Sequence, residues 1–458
     1  MKFDIIAFFL NSFVLIFLTL TLGSLFGKIK FWKFNFGIAG SLFVGLIFGY
    51  YLTKYSVVLL DKIDSNSKLI PRINAIIKGN VVDGPVMKLS LLIFIVATGL
   101  LAAKDIKYTL KKFGKQFVII AIIVPLAGAV SSYGLAKVFS SVSPFEITGT
   151  YTGALTSSAG LAAAIESSEA EANNMIDNFS NLPLSSKNKI LNIINDSKYK
   201  YAKLRNESVP ELLTVQNTKF LTQEEGELFI NAAKAGVGAG HSIGYPYGVL
   251  FLLLCINFIP LIFGIDVEEE KRKYFLEKEK DMKKNSEDNV VEIKEVPMDF
   301  AAFSVAAFLG YVIGNIKIYL GPLGYFSLGS IGGAIIVSLL LGYIGKVGPF
   351  NFRMNSLILG KMRTYFLALF LAGTGLNFGF KAVQAVVGNG LSISIVSILV
   401  TLIAILVGFV LGHYVFHINW TVLSGAITGG MTSAPGLGAA IDAIGCDEPA
   451  ASYGAPNL

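Results

Sequence analysis

Residues 148–166 read TGTYTGALTSSAGLAAAIE, and residues 424–442 read SGAITGGMTSAPGLGAAID. At a constant offset of 276, Gly149, Thr152, Gly153, Thr156, Ser157, Gly160, Leu161, Ala163, Ala164 and Ile165 each meet an identical residue, and Glu166 meets Asp442. Both copies are rich in glycine and hydroxyl side chains and sit among long apolar runs. Such a segment supplies non-helical backbone at membrane depth, which lipid tolerates only where protein buries it or it lines a cavity. The pair therefore predicts an all-α polytopic membrane protein of two repeats, each closed by a broken, re-entrant hairpin.

Composition agrees. The chain has 458 residues, 53% hydrophobic and only 15% charged, where a soluble domain carries about a quarter charged. Runs at 5–26, 36–51, 117–136, 247–264, 327–343 and 391–412 each cross or nearly cross a hydrocarbon core of about 30 Å. The first run lacks a small-residue cleavage site and pairs with a later segment, so it reads as a span rather than a leader. The net charge of +7 gives no sign of nucleic acid. Cys255 and Cys446 are two isolated cysteines, and His241, His413 and His417 are scattered, so neither a disulfide framework nor a metal site is expected. No nucleotide-binding loop or Ser/His/Asp set is visible, and no cofactor is expected.

The repeat extends outward from the opening pair. LGSLFGKIKF at 22–31 is similar to LGYVIGNIKI at 309–318, FGIAGSLFVGLIFGYY at 36–51 to LGSIGGAIIVSLLLGYI at 328–344, and ATGL at 97–100 to GTGL at 373–376. The halves are 1–264 and 298–458, joined by a charged linker at 265–297 that reads as part helix, part flexible chain. Spans are expected at 5–26, 36–54, 88–103 and 116–139, then at 299–315, 324–345, 358–377 and 390–414, with an additional one at 236–264 where GHSIGYPYG (240–248) places Pro246 to break or start a helix. An insert at 167–235 has no counterpart in the second half. It reads as a small solvated cap, with helices over SSKNKILNIINDSKYKYAKLR and QEEGELFINAAKA.

Positive charge sets the orientation. Lys28, Lys30 and Lys33 follow the first span, and Lys104, Lys107, Lys111, Lys112 and Lys115 follow the third. In the second half Lys346, Arg353, Lys361 and Arg363 follow the second span instead. This flipped parity predicts inverted-topology repeats, with 265–297 cytoplasmic and the N-terminus and 167–235 external. The loop at 52–88 runs against it, carrying six basic and three acidic residues on the side assigned as external.

The glycines lower the cost of leaving helical geometry, and Pro435 removes a donor. Where a helix breaks in mid-membrane, its N-terminal amides carry partial positive charge and suit a carboxylate. Thr156, Ser157, Ser158, Thr432 and Ser433 add hydroxyls there, beside Gly160 and Gly436. The competing reading is tight helix packing through small residues. His241, Tyr245 and Tyr247 offer polar tips that serve packing equally well. Arg363 fits a fork-shaped donor to a substrate carboxylate or a snorkelling anchor. Glu166 and Asp442 are the candidates for a coupling cation or proton, or for plain water-facing ends.

The segments LGSLFGKIKFWKFNFGIAGSLFVGLIFG, ATGL and GTGL, GALTSSAGLAAA, IGYPYGV and GGMTSAPGLGAAID together resemble the aspartate:alanine exchanger family of bacterial transporters. The resemblance covers nearly all of both membrane halves. It implies an inner-membrane antiporter for small carboxylates or amino acids, such as aspartate and alanine or dicarboxylates like succinate. The family's motifs fall on Thr156, Ser157, Gly160, Tyr245 and Pro246, and on Thr432, Ser433, Pro435, Gly436 and Tyr453. The chain departs from the pattern in four places. Ala159 stands where the family has proline, the insert is unusual, the linker is too short for a soluble regulatory domain, and the family's closing helix lies beyond ASYGAPNL. The expected partners are a small carboxylate or amino acid, the bilayer and, as an oligomeric option, a second copy of the chain. A sodium- or proton-coupled organic-acid symporter, and a channel or sensor, remain as alternatives.

Overall fold

The computed structural model describes every residue except 1–4, 32–33, 36, 65–66, 105, 140–141, 206–210, 285–294, 320–324, 388–389 and 455–458. The first half consists of α1 (Ile5–Phe9), α2 (Ser12–Gly27), α3 (Gly40–Leu60), α4 (Ile70–Ile77), α5 (Gly84–Ala102), α6 (Ile106–Val138), α7 (Pro144–Ala154), α8 (Ser158–Asp177), α9 (Leu184–Arg205) and α10 (Gln223–Phe263). The linker carries α11 (Val267–Lys284). The second half consists of α12 (Phe300–Gly314), α13 (Gly329–Ile344), α14 (Ser356–Val387), α15 (Leu391–Phe409), α16 (Trp420–Gly430), α17 (Ala434–Ile444) and α18 (Glu448–Gly454). The fold is an all-α polytopic membrane architecture. Six of these segments are long and apolar enough to cross a bilayer, while α2, α12, α13 and α17 are shorter apolar helices.

Several boundaries differ from the sequence expectation. A fourth span at 116–139 is instead the helix α6 from Ile106, because amphipathic turns carrying Tyr108 and Lys112 continue it to α11. The span at 236–264 begins at Gln223, where Thr222 and Glu225 form a capping box. Pro246 neither breaks nor starts this helix but lies inside it, because α7 packs along the whole stretch and tertiary contact overrides the lost donor. The insert opens inside a helix rather than in a loop. The helix α8 runs through that point to Asp177, and it packs with α9 and α10 around Phe179, Ile190, Leu191, Ile194 and Phe229. The linker helix is docked, not free: Lys112 meets Glu277 at 2.7 Å and Asp281 at 3.1 Å. In the 52–88 loop, Arg72 uses its charge locally, donating to the carbonyl oxygens of Leu10 (2.7 Å), Asn80 (3.2 Å) and Val81 (2.7 Å).

Helix directions follow from contacts. A Cβ on Gly45 would meet Ala372 and Gly375, and one on Gly49 would meet Leu376, so α3 and α14 run parallel at very short separation. Gly99 lies against Ile335 and Ser338, and Gly342 against Leu100 and Ala103, so α5 and α13 are parallel too. The helices α5 and α14 run opposite ways, since Val82 N–H donates to Asn377 Oδ1 at 2.8 Å while Gly373 abuts Met87. The second span of one half therefore points opposite to the second span of the other. The repeats are inverted.

Each hairpin opens and closes on one face. In the first, Phe145 at the start of α7 stacks edge-on against Phe229 at 5.9 Å, and Ile176 at the end of α8 lies by Gly226. In the second, Trp420 N–H at the start of α16 donates to Glu270 (3.0 Å), and the Ile444 carbonyl at the end of α17 accepts from Lys271 (3.3 Å). One hairpin thus stands on the insert and the other on the linker helix. The 41-residue α10, about 60 Å long at 1.5 Å per residue, starts within the insert and runs to the linker face.

Candidate substrate site between the hairpin tips

The two tips have the same architecture. The helix α7 ends with Thr156 in the left-handed region at φ 56°, and α16 ends with Thr432 at φ 54°. Thr156 N–H donates to Gly153 O at 2.8 Å and Ser157 N–H to Thr152 O at 2.9 Å; Thr432 N–H donates to Gly429 O at 2.8 Å and Ser433 N–H to Thr428 O at 2.9 Å. This is a Schellman C-cap, with threonine at the position that glycine usually takes. The following serine at once caps the next helix. Ser157 Oγ accepts from Gly160 N–H at 3.0 Å, and Ser433 Oγ from Gly436 N–H at 3.1 Å. Only three residues, 155–157 and 431–433, separate the end of one helix from the start of the next.

The glycines do not make the break. Gly149 and Gly153 lie inside α7, where a Cβ on Gly149 would come within 1.9 Å of Val237 O. Gly425 does the same against Pro449 O, also at 1.9 Å. They let the half-helices lie backbone to backbone on α10 and α18.

Each half-helix before a tip has 11 residues, so each tip reaches about 16 Å inward from its own face, half of a hydrocarbon core of about 30 Å. The tips share one cavity of about 180 Å³, roughly six waters' worth of liquid. Hairpin one presents Tyr151, Thr152, Ser157 and Gly160 to it, hairpin two Gly429 to Thr432, and α6 Ala121 and Pro125. The first-turn amides of Ser158 and Ala159 have no acceptor within α8. In α17 that leaves only the Ala434 amide, because Pro435 has none. Hairpin one is the richer donor, owing to Ala159.

Of the residues singled out from sequence, the cavity gathers Ser157, Gly160 and Thr432. Thr156 is buried behind it, and its hydroxyl has no partner in the fold. Ser433 is fully buried as a cap, and Gly436 packs against Leu252 and Thr428. The side chain of Ser158 lies outside the described residues. Tyr245 does not line the cavity but packs between His241 (5.6 Å) and Phe378 (5.2 Å), and Tyr453 is buried. Arg363 is on the linker face and pairs with Asp447. Glu166 is exposed near the insert face, whereas Asp442 accepts from Ile38 N–H at 3.2 Å on the linker face. The two carboxylates are thus separated by the inversion itself. Among the described residues no cluster of metal-ligating side chains is present.

Sequence reasoning passed over Tyr151 and Thr152 as site residues and left His241 open between a functional and a packing role. Thr152 Oγ1 donates to Gly149 O at 2.8 Å and lies 2.9 Å from His241 Nδ1, an arrangement satisfied when Nδ1 carries the hydrogen. The identity of Thr152 with Thr428 was the available signal. Tyr151, whose hydroxyl donates to Pro125 O at 3.1 Å, meets Ile427 in the other copy, so the repeat gave none.

Inverted repeats with opposed hairpin tips around a small shared cavity define a membrane protein of the permease type. A family profile described as a predicted permease membrane region matches residues 15–261 and 302–457. The chain belongs to this family, that of the aspartate:alanine exchangers. It is 36% identical over 155 residues to an uncharacterized transporter of Bacteroides thetaiotaomicron. It is 37% identical over 156 residues to one of Bacteroides fragilis, and 33% over 155 residues to one of Rhodopirellula baltica. Each match covers 34% of this chain and 29% of the relative.

Proposed function

We propose that the chain is a secondary transporter that exchanges small carboxylates or amino acids across a bacterial inner membrane. The observation that carries this reading is the identical pair of tips facing one cavity from opposite sides. A carboxylate there meets the free amides of α8 and α17, at the positive N-terminal ends of the two helices, and the hydroxyls of Ser157 and Thr432. The cavity volume suits acids of only a few carbons. On this reading residues 265–297 are cytoplasmic, 167–235 external, and the hairpin-bearing helices move against the others to alternate access. Obligate exchange follows when the empty carrier cannot change sides.

Counterflow in proteoliposomes tests it. Labelled aspartate or succinate should accumulate only in vesicles preloaded with unlabelled substrate. Equal uptake into empty vesicles excludes obligate exchange, and dependence on a sodium or pH gradient replaces it with ion-coupled symport.

A further inference from the structure

The helices form two packed groups. One contains α2, α3, α5 and α12–α14, and the other contains α6–α8, α10 and α15–α18; contact between the groups is thin beside contact within them. On the linker face, polar side chains cross that boundary at both ends of the Asp442–Asp447 stretch. Asp442 Oδ2 accepts from Ile38 N–H at 3.2 Å, and Arg363 of α14 pairs with Asp447. The first contact is closely fitted. Gly37 is at φ 48°, and a Cβ there would come within 2.0 Å of Asp442 Oδ2.

Repeat symmetry locates the equivalent place on the insert face. A Cβ on Gly27 would meet Gly37 O at 1.9 Å, and a Cβ on Gly314 would meet Gly329 O at 2.1 Å; Gly329 is also left-handed, at φ 70°. Gly329 is therefore the counterpart of Gly37, and the Ser330 amide the counterpart of the Ile38 amide. The counterpart of Asp442 is Glu166, which is exposed here rather than docked. The second pairing is not duplicated: at the offset of 276, Met87 stands opposite Arg363 and Glu171 opposite Asp447.

The geometry points to a gate that changes faces. Asp442 on the Ile38 amide and Arg363 on Asp447 hold the second hairpin against the other helix group, so this is the form closed on the linker face. In the opposite form Glu166 takes the Ser330 amide beside Gly329 and closes the insert face, while the linker-face contacts part. Arg363, Asp442 and Glu166 are then positioning residues, not substrate or ion ligands. This inference rests on the alternating-access part of the proposed function but not on its substrate class. The Arg363–Asp447 pair, having no equivalent, biases the protein toward the linker-closed form.

Disulfide trapping tests it in the full chain with Cys255 and Cys446 replaced by serine. Two cysteine pairs are introduced, Ile38→Cys with Asp442→Cys and Ser330→Cys with Glu166→Cys, singly and together. Each pair should bridge on oxidation, and in the four-cysteine protein one bridge should prevent the other. Arg363→Asp should shift bridging at least severalfold from the 38/442 pair to the 166/330 pair, and adding Asp447→Arg should restore the original ratio. Absence of the 166/330 bridge under all substrate conditions, or both bridges in one molecule, overturns the gate. Bridging is read by mass spectrometry without any transport, so mutually exclusive bridges in a protein that exchanges no carboxylate would sink the proposed substrates and leave the gate standing.

Discussion

Thr156 and Thr432 hold a backbone conformation that a β-branched residue rarely adopts, at a cost of order 1–3 kcal/mol each. The fold keeps both, although glycine would carry the same Schellman turn without strain. Their hydroxyls have separate situations: that of Thr432 borders the cavity, while that of Thr156 is buried without a partner. Thr432→Val should therefore weaken carboxylate binding about fivefold, the equivalent of one hydrogen bond of about 1 kcal/mol. Thr156→Val should change affinity less. Thermal-shift titration of the detergent-solubilised protein with aspartate and succinate measures both. Equal losses in the two variants would mean that Thr156 turns into the cavity when substrate binds. The duplicated Thr-Ser pair was plain in the sequence. That the threonine, and not a neighbouring glycine, makes the turn was not, because residue identity does not reveal which of several small residues leaves the helix.

At the scale of elements, α7 lies on α10 through glycines that permit backbone contact, Gly149 on one side and Gly240 on the other. Gly149→Ala forces a Cβ against Val237 O and should destabilise by about 1–3 kcal/mol, lowering the melting temperature. Gly238, two residues from Gly240 on the same helix, has nothing within 4 Å of an added Cβ. Gly238→Ala should hold or raise the melting temperature, since alanine in a helix gains about 0.5–1 kcal/mol over glycine. A drop of the same size in both would indicate that the approach distance does not decide which glycines this interface requires. The same packing explains why Pro246 failed as a boundary marker. A proline interrupts an isolated helix, but α10 is held along its length by α7 and α15, with Ser397 Oγ donating to Gly244 O at 2.7 Å. The start of α10 was legible only locally, in the Thr222–Glu225 capping box.

For the whole molecule, the basic loops that set the parity gather on one face. Lys28, Lys361 and Arg363 border a common cavity of about 910 Å³ there, and Lys104 pairs with Glu295 of the linker. The insert occupies the opposite face. In a background with Cys255 and Cys446 replaced, Ser185→Cys in the insert and Lys273→Cys on α11 should react with a membrane-impermeant maleimide from opposite sides of the bilayer. Labelling of both from one side would undo the re-entrant hairpins, because a hairpin that crossed the membrane would place the linker beside the insert.

The sequence by itself determined the membrane class, the two halves and their inversion, and the position of both tips, because hydropathy, charge parity and an internal repeat are all carried along the chain. Only the tertiary structure decided which hydroxyls face the shared cavity, that Arg363 and Asp442 bind other parts of the protein across the helix-group boundary, and that Glu166 has no matching contact. Those choices depend on which surfaces meet after the halves interlock. Two sequence-equivalent carboxylates become inequivalent once a single conformation docks Asp442 on the Ile38 amide and leaves Glu166 exposed.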